Sequence, residues 1–177
     1  SLGLVGSEMC IRDSNTTGQI TAVGFGAGTQ NTTAYGAVYI GYQAGTSTTT
    51  GISNTFVGGG GGGAYAAGQS NTTGAYNTAV GSQALGLNTT ASNSTAVGYQ
   101  ALYSQTSSGP SNTAIGYQAG YSNTSGYNGV FVGYEAGYLS TGGNFNTYIG
   151  YRARGSTTTD SDCLVVAGGY NSNGVTG

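Results

Sequence analysis

A short apolar tetrapeptide ending in glycine returns eight times along the chain, as TAVG, VYIG, TFVG, TAVG, TAVG, TAIG, VFVG and TYIG. A repeat of this period requires stacked copies of one small unit, because no single copy can bury its own apolar face. The motif glycines are Gly24, Gly41, Gly58, Gly81, Gly98, Gly116, Gly133 and Gly150, separated by 17, 17, 23, 17, 18, 17 and 17 residues. The unit is seventeen residues, with six extra in the glycine run near Gly58 to Gly63 and one extra near Pro110. Leu164-Val165-Val166-Ala167-Gly168 reads as a degenerate ninth copy.

Aligned on the glycine, the columns are nearly homogeneous. Directly before it stand Val23, Ile40, Val57, Val80, Val97, Ile115, Val132 and Ile149, all β-branched, which suits a strand and disfavours a helix. Two places before it stand Ala22, Tyr39, Phe56, Ala79, Ala96, Ala114, Phe131 and Tyr148. Strand side chains alternate between faces, so these two apolar columns point in opposite directions and both seek cover. Phe25, Tyr42, Tyr99, Tyr117, Tyr134 and Tyr151 follow the glycine and share the face of the Val/Ile column. Three places after the glycine comes an alanine column, read as interrupted only by Gly61.

The remainder of each unit is Asn, Thr, Ser and Gly, as in SNTSGYN from Ser122 to Asn128, and reads as turns and polar strand. Seventeen residues at about 3.3 Å each give a coil perimeter of roughly 56 Å, enough for two short strands about 10 Å apart and two turns. The expected fold is all-β, a parallel β-solenoid or β-roll of seventeen-residue rungs, the Val/Ile column forming its core ladder and the aromatics a second ladder. Eight rungs about 4.8 Å apart make a rod section on the order of 40 Å long. One coil covers only one face of its apolar strand, so a stripe of Val, Ala, Phe and Tyr is left for a partner, and parallel copies of the same chain bury it by symmetry.

Composition removes most other functions. Only 5% of the 177 residues are charged, 36 are Gly, there is no His, and no charged side chain falls between Asp13 and Glu135. A net charge of −2 gives no basic footprint for nucleic acid or anionic lipid. Fifteen Tyr argue against a disordered chain. Serine and threonine are plentiful, but a nucleophile needs an adjacent base and neither His nor Lys exists to serve, so no catalytic residue and no enzyme is expected. No cofactor, no metal site and no membrane insertion are expected.

Residues 1–14, SLGLVGSEMCIRDS, stand outside the pattern and resemble adapter read-through in metagenomic translations, so they are expected to be non-native. The repeat domain is expected to span 15–155, with 156–177 holding the ninth copy and a truncated end.

NTAVGSQAL (77–85), STAVGYQAL (94–102), NTAIGYQAG (112–120) and NTYIGYRAR (146–154) resemble the NTAIGYQAG arrays of bacteriophage tail fibres. They are also similar to the head repeats of trimeric autotransporter adhesins. The resemblance implies a homotrimer and a virion tail-fibre or cell-surface location with a part in host attachment, while the Tyr, Asn and Gln side chains, by type alone, suggest multivalent contact with surface carbohydrate. It departs from the adhesins in its longer unit and in lacking a heptad stalk. The alternative reading is a secreted, glycosylated extracellular fibril or matrix protein.

Several local features carry sharper expectations. The glycine run lacks the Lys and Ser/Thr of a phosphate-binding loop and is expected to be a bulge in one rung. Asp160 and Asp162 are too few for calcium and are read as a solvated loop. Cys163, without a partner once Cys10 is set aside, is expected to be a buried small side chain. The TTT runs at 48–50 and 157–159 do not form a Thr-x-Thr array. Asn15, Asn31, Asn71, Asn88, Asn93 and Asn123 head Asn-x-Ser/Thr triplets and are candidate glycosylation sites on the polar half-rung. Glu135 and Arg152 both lie two places after a motif glycine, where other units carry Gln43, Gln83, Gln100 and Gln118, so one turn of the solenoid predicts an ion pair between them.

Overall fold

The structure, a computed structural model, describes residues 19–166. Nine short strands follow in chain order: β1 (Ile20–Val23), β2 (Ala37–Ile40), β3 (Thr55–Val57), β4 (Thr78–Val80), β5 (Thr95–Val97), β6 (Thr113–Ile115), β7 (Val130–Val132), β8 (Thr147–Ile149) and β9 (Leu164–Val166). They form one sheet in the order β1 to β9, every pair parallel. The register sets like on like: Val80 pairs with Val97, Val97 with Ile115, Ile115 with Val132 and Val132 with Ile149. The chain is therefore a parallel β-solenoid that winds once per motif. Rung n is the coil that opens with βn.

The ninth copy is a strand: Tyr148 pairs with Val165 and Ile149 with Val166. The repeat thus continues past Arg154 to Val166, while Ala167 and Gly168 lie outside the described residues, as do residues 1–14, Asn15 and the end from 167 to 177.

Each rung carries one strand of three or four residues rather than the expected two. The remaining arc is a succession of turns, yet it keeps a ladder to its neighbour. In the first rung Gly28 N donates to Ala44 O at 3.0 Å, Gln30 N to Thr46 O at 3.1 Å and Thr32 N to Thr49 O at 3.0 Å. Inter-rung hydrogen bonding therefore runs almost around the whole coil and satisfies backbone groups that a turn alone would strand.

The motif glycines are required by backbone geometry. Their φ runs from 121° at Gly150 to 149° at Gly58, a region closed to side chains. A Cβ would also strike the next rung's backbone: Gly24 would sit 2.6 Å from Gly41 O, Gly81 2.7 Å from Gly98 O, and Gly133 2.5 Å from Gly150 O.

The sequence expectation for the core needs correction on one point. Val23, Ile40, Val57, Val80, Val97, Ile115, Val132 and Ile149 do stack in one column, but on the outside of the coil, where Ile115 is 44% exposed. The inner face belongs to the column before it, Ala22, Tyr39, Phe56, Ala79, Ala96, Ala114, Phe131 and Tyr148, each 0 or 1% exposed. Both columns are apolar, so the pattern alone left the choice open. The decision comes from the opposite wall, where the alanine column from Ala27 to Ala153 is buried and leaves room only for a small or flat group.

That alanine column is also continuous through rung three. Ala67 N donates to Gly58 O at 3.0 Å, as Ala44 N does to Gly41 O at 3.2 Å, so Ala67, not Gly61, fills the position. The six extra residues are 61–66, looped out as a small hairpin with an antiparallel bridge between Gly61 and Ala64. The expected bulge is present.

Asparagine supplies the polar part of the interior. Asn54, Asn77, Asn112 and Asn146 stand immediately before β3, β4, β6 and β8, fully buried. Each Oδ1 accepts the backbone N–H of the corresponding residue one rung on, from Asn77 at 2.9 Å, Ser94 at 3.0 Å, Gly129 at 2.7 Å and Cys163 at 3.0 Å. Each Nδ2 donates across the coil to a backbone carbonyl, for example from Asn77 to Ala91 O at 2.7 Å. An amide with both ends occupied is tolerated in a dry interior, whereas a half-satisfied one is costly.

Candidate interaction surface

The outer face of the sheet alternates with the core, as strand geometry requires. It consists of the Thr or Val at the strand start, the Val/Ile column, and the aromatic after the glycine. Ile40, Val80, Ile115 and Ile149 are 37–44% exposed and Val23, Val57, Val97 and Val132 less, whereas the rings reach 56% at Phe25 and 52% at Tyr151. The expected aromatic ladder exists. Phe25 stacks on Tyr42 at 5.6 Å, Tyr99 on Tyr117 at 5.5 Å, Tyr117 on Tyr134 at 5.0 Å and Tyr134 on Tyr151 at 5.3 Å, with interplanar angles from 8° to 18°. It is interrupted at rungs three and four, where Gly59 and Ser82 take the aromatic's place.

A second aromatic ladder was missed in the sequence reading. Tyr103, Tyr121 and Tyr138 stack at 5.3 and 5.1 Å, five places after their glycines. Their identical offset was the available signal. A column of threonine eight places after the glycine, or fourteen in rung three with its insertion, from Thr32 to Thr158, was also overlooked. Several of its hydroxyls donate to the carbonyl one rung on, as Thr32 does to Thr49 at 2.9 Å and Thr124 to Thr141 at 3.0 Å.

Two places after six of the eight motif glycines the backbone turns through the left-handed region at a non-glycine residue, with φ between 51° and 63° at Gln43, Gln83, Gln100, Gln118, Glu135 and Arg152. The corner stacks these side chains. Gln100 Nε2 donates to Gln83 Oε1 at 2.9 Å and Gln118 Nε2 to Gln100 Oε1 at 2.6 Å. Arg152 Nε donates to Glu135 Oε2 at 2.6 Å, the ion pair the seventeen-residue register predicts. The guanidinium also lies 5.3 Å from the Tyr151 ring centre. Tyr134, hydrogen-bonded to the Glu135 carboxylate, has its phenol pKa raised, with slight burial adding to the effect.

The candidate glycosylation sites divide. Asn71, Asn88 and Asn123 are fully buried, so the expectation that the polar half-rung projects them is corrected. Their column turns inward: Asn88 Nδ2 donates to Asn71 Oδ1 at 2.9 Å, and Asn71 Nδ2 to Gly74 O at 3.0 Å. Asn31 is half-buried beside the Tyr39 hydroxyl, whose pKa burial pushes up against the opposing pull of Thr48 and Asn31. Asn93 is exposed.

At the far end, Asp160 is not a loose loop residue. Its carboxylate accepts from Ser156 Oγ and Thr157 N, both at 2.9 Å, and from the Thr157 hydroxyl, which together hold its pKa below the ordinary carboxylate value. Asp162 sits in the left-handed region at φ 57°. Cys163 is partly buried against the core in the asparagine column's place, and burial raises its thiol pKa. Among the described residues no group of three His, Cys, Asp or Glu is placed to hold a metal ion, and no helix is long and apolar enough to cross a membrane.

What the fold and surface define is an all-β repeat solenoid whose sheet carries an uncovered apolar face. No family model matches the chain, and neither a curated protein nor a solved structure matches it.

Proposed function

We propose that this protein is a structural fibre segment, of the kind found in phage tail-fibre shafts or adhesin heads, that assembles as a homotrimer of parallel copies and helps project or form a host-attachment surface on a virion or cell exterior. The single observation behind this reading is the outer face of the sheet, where the β-branched column from Val23 to Ile149 continues through rungs one to eight. An apolar stripe of that length on an isolated coil marks an association surface. A rotational arrangement of identical parallel chains covers it with no second gene product. The repeated quotation of NTAIGYQAG-like units supports the same class, and the threefold number rests on that resemblance alone.

The role is mechanical rather than catalytic. Side-chain ladders and a hydrogen-bonded coil give stiffness without ions, and the Tyr103–Tyr121–Tyr138 and Gln83–Gln100–Gln118 ladders, which are not part of the Val/Ile stripe, present repeated weak contacts that suit a carbohydrate surface, where multivalency multiplies affinity. The alternative, a glycosylated matrix fibril, is less favoured because Asn71, Asn88 and Asn123 are closed inside the coil.

Light scattering on the whole chain is the test. The expected solution mass is three times the 17.4 kDa of one chain, falling to a single chain mass when Val97 and Ile115 are both changed to Lys. A folded monomer of the unaltered protein refutes the assembly.

A further inference from the structure

Rung three breaks two ladders at once, and the break has a shape. Gly59 stands where the aromatic column needs a ring, and Gly60 where the amide column needs Gln. Tyr42 is consequently stacked on Phe25 by one face only, and the other looks onto a position with no side chain. Gln43 occupies the same left-handed corner as its counterparts, yet its carboxamide has no hydrogen-bond partner among the described residues, whereas Gln83, Gln100 and Gln118 are chained together. The 61–66 hairpin then walls the gap. A cavity of about 300 Å³ results, lined by Tyr42, Gln43, Gly61 to Ala64, Tyr65 and Gln69. Tyr65 is braced edge-on against Tyr103 at 6.0 Å, and Gln69 Oε1 accepts Ala66 N at 2.7 Å, so both are held in place.

We infer that this notch binds one neutral pyranose residue of a glycan, its ring stacked on the free face of Tyr42 in the place of the missing aromatic and its hydroxyls met by the amides of Gln43 and Gln69. Three features select that chemistry. An open aromatic face, with its negative π-cloud, offers a surface for the weakly positive C–H face of a sugar ring. The polar groups beside it are carboxamides and glycine backbone, which both donate and accept as hydroxyls do. None of the lining residues is charged, so a phosphate, a carboxylated sugar or a cation finds no counter-charge. Gly61, Gly62 and Gly63 meet nothing within 4 Å of where a Cβ would lie, which leaves the outer side open to a chain continuing beyond the bound unit.

The inference deepens the attachment role proposed above: one chain builds the notch alone, and a trimer sealed along the Val/Ile column must leave the Tyr42 ring open. Four probes suffice: the methyl glycosides of glucose, galactose, mannose and N-acetylglucosamine, titrated to about 20 mM against the whole chain by saturation-transfer NMR, a range suited to weak single-ring contacts. At least one should show transfer to its ring protons, and Tyr42→Ala should weaken it by tenfold or more. The decisive variant deletes residues 61–66 and adds Gly59→Tyr and Gly60→Gln, turning rung three into an ordinary seventeen-residue unit that remains folded by circular dichroism. Loss of all transfer in that variant supports the notch. Transfer that survives it overturns the notch and leaves sugar contact to the ladders at large, and no transfer from any probe to the unaltered chain overturns it outright. Light scattering on the same samples reports the trimer separately, so the two readings fail independently.

Discussion

In rungs two, three, seven and eight the inward strand residue is a ring, Tyr39, Phe56, Phe131 or Tyr148, whereas in rungs four, five and six it is Ala79, Ala96 or Ala114. The backbone nevertheless follows one path through both regions, so the missing volume must come from elsewhere in the coil. It comes from the position directly after the buried alanine column. There Gly28, Gly45, Gly68, Gly120 and Gly137 accompany a ring in their own rung or the next, and a Cβ on Gly45 would fall 2.6 Å from Cδ1 of Tyr39. Leu85 and Leu102 occupy the same position in the two rungs where both that strand and the following one carry Ala. Both leucines are fully buried and accept left-handed backbone, with φ of 51° and 49°. Filling the interior to constant volume therefore outranks the backbone preference for glycine, as expected of a close-packed core.

That contrast can be broken at several depths. The largest loss is expected from a change that ignores it: Gly81→Ala in the alanine region and Gly133→Ala in the aromatic region should each destabilise by at least about 3 kcal/mol, through forbidden φ and collision with the next carbonyl. Chemical denaturation should show similar losses for the two, since the glycine corner is common to both regions. Next, Phe131→Ala should cost about 3–5 kcal/mol by leaving a cavity. Gly120→Leu alone should also destabilise, because its Cβ would already lie 2.9 Å from Phe131. Combined, they recreate the Ala/Leu pairing, and a double-mutant cycle should return a favourable coupling of about 0.5–3 kcal/mol. Strict additivity would refute volume exchange.

Leu102→Ala tests the opposite side and should cost about 2–5 kcal/mol, with no matching glycine to compensate. Glu135→Gln should change stability by no more than about 1 kcal/mol, since the pair is partly exposed and a glutamine there can continue the amide ladder. Smallest is the acid response of the last turn. The Asp160 carboxylate has a lowered pKa, so its contribution is present above the unfolded value near about 3.9 and is lost as pH falls through the folded value. Amide shifts of Ser156 and Thr157 should move in that window while those of rungs four to six stay fixed.

The winding period, the strand positions, the glycine corner and the Glu135–Arg152 contact were all legible from sequence, because each depends on one residue type recurring at one spacing. The inward face was not. Val80 and Ala79 both satisfy an apolar strand, and only the volume across the coil, supplied by Ala84 and Leu85, tells which one turns in. The asparagine interior was hidden for a related reason: Asn54, Asn77, Asn88 and Asn112 have turn-forming side chains, and their burial becomes visible only when a neighbouring rung offers an N–H or carbonyl to each amide. The notch at rung three was read as a bulge, which it is, but an empty ladder position gains meaning only once its neighbours are seen to stack.

Strand order in this sheet is chain order, and each coil touches little beyond the coils on either side. Length is therefore adjustable without redesign: cutting out residues 82–98 joins Gly81 to Tyr99 with every column still in phase, shortening the rod by one strand spacing of about 4.8 Å. Evolution can treat such a chain as a ruler, adding or removing graduations while the cross-section stays the same.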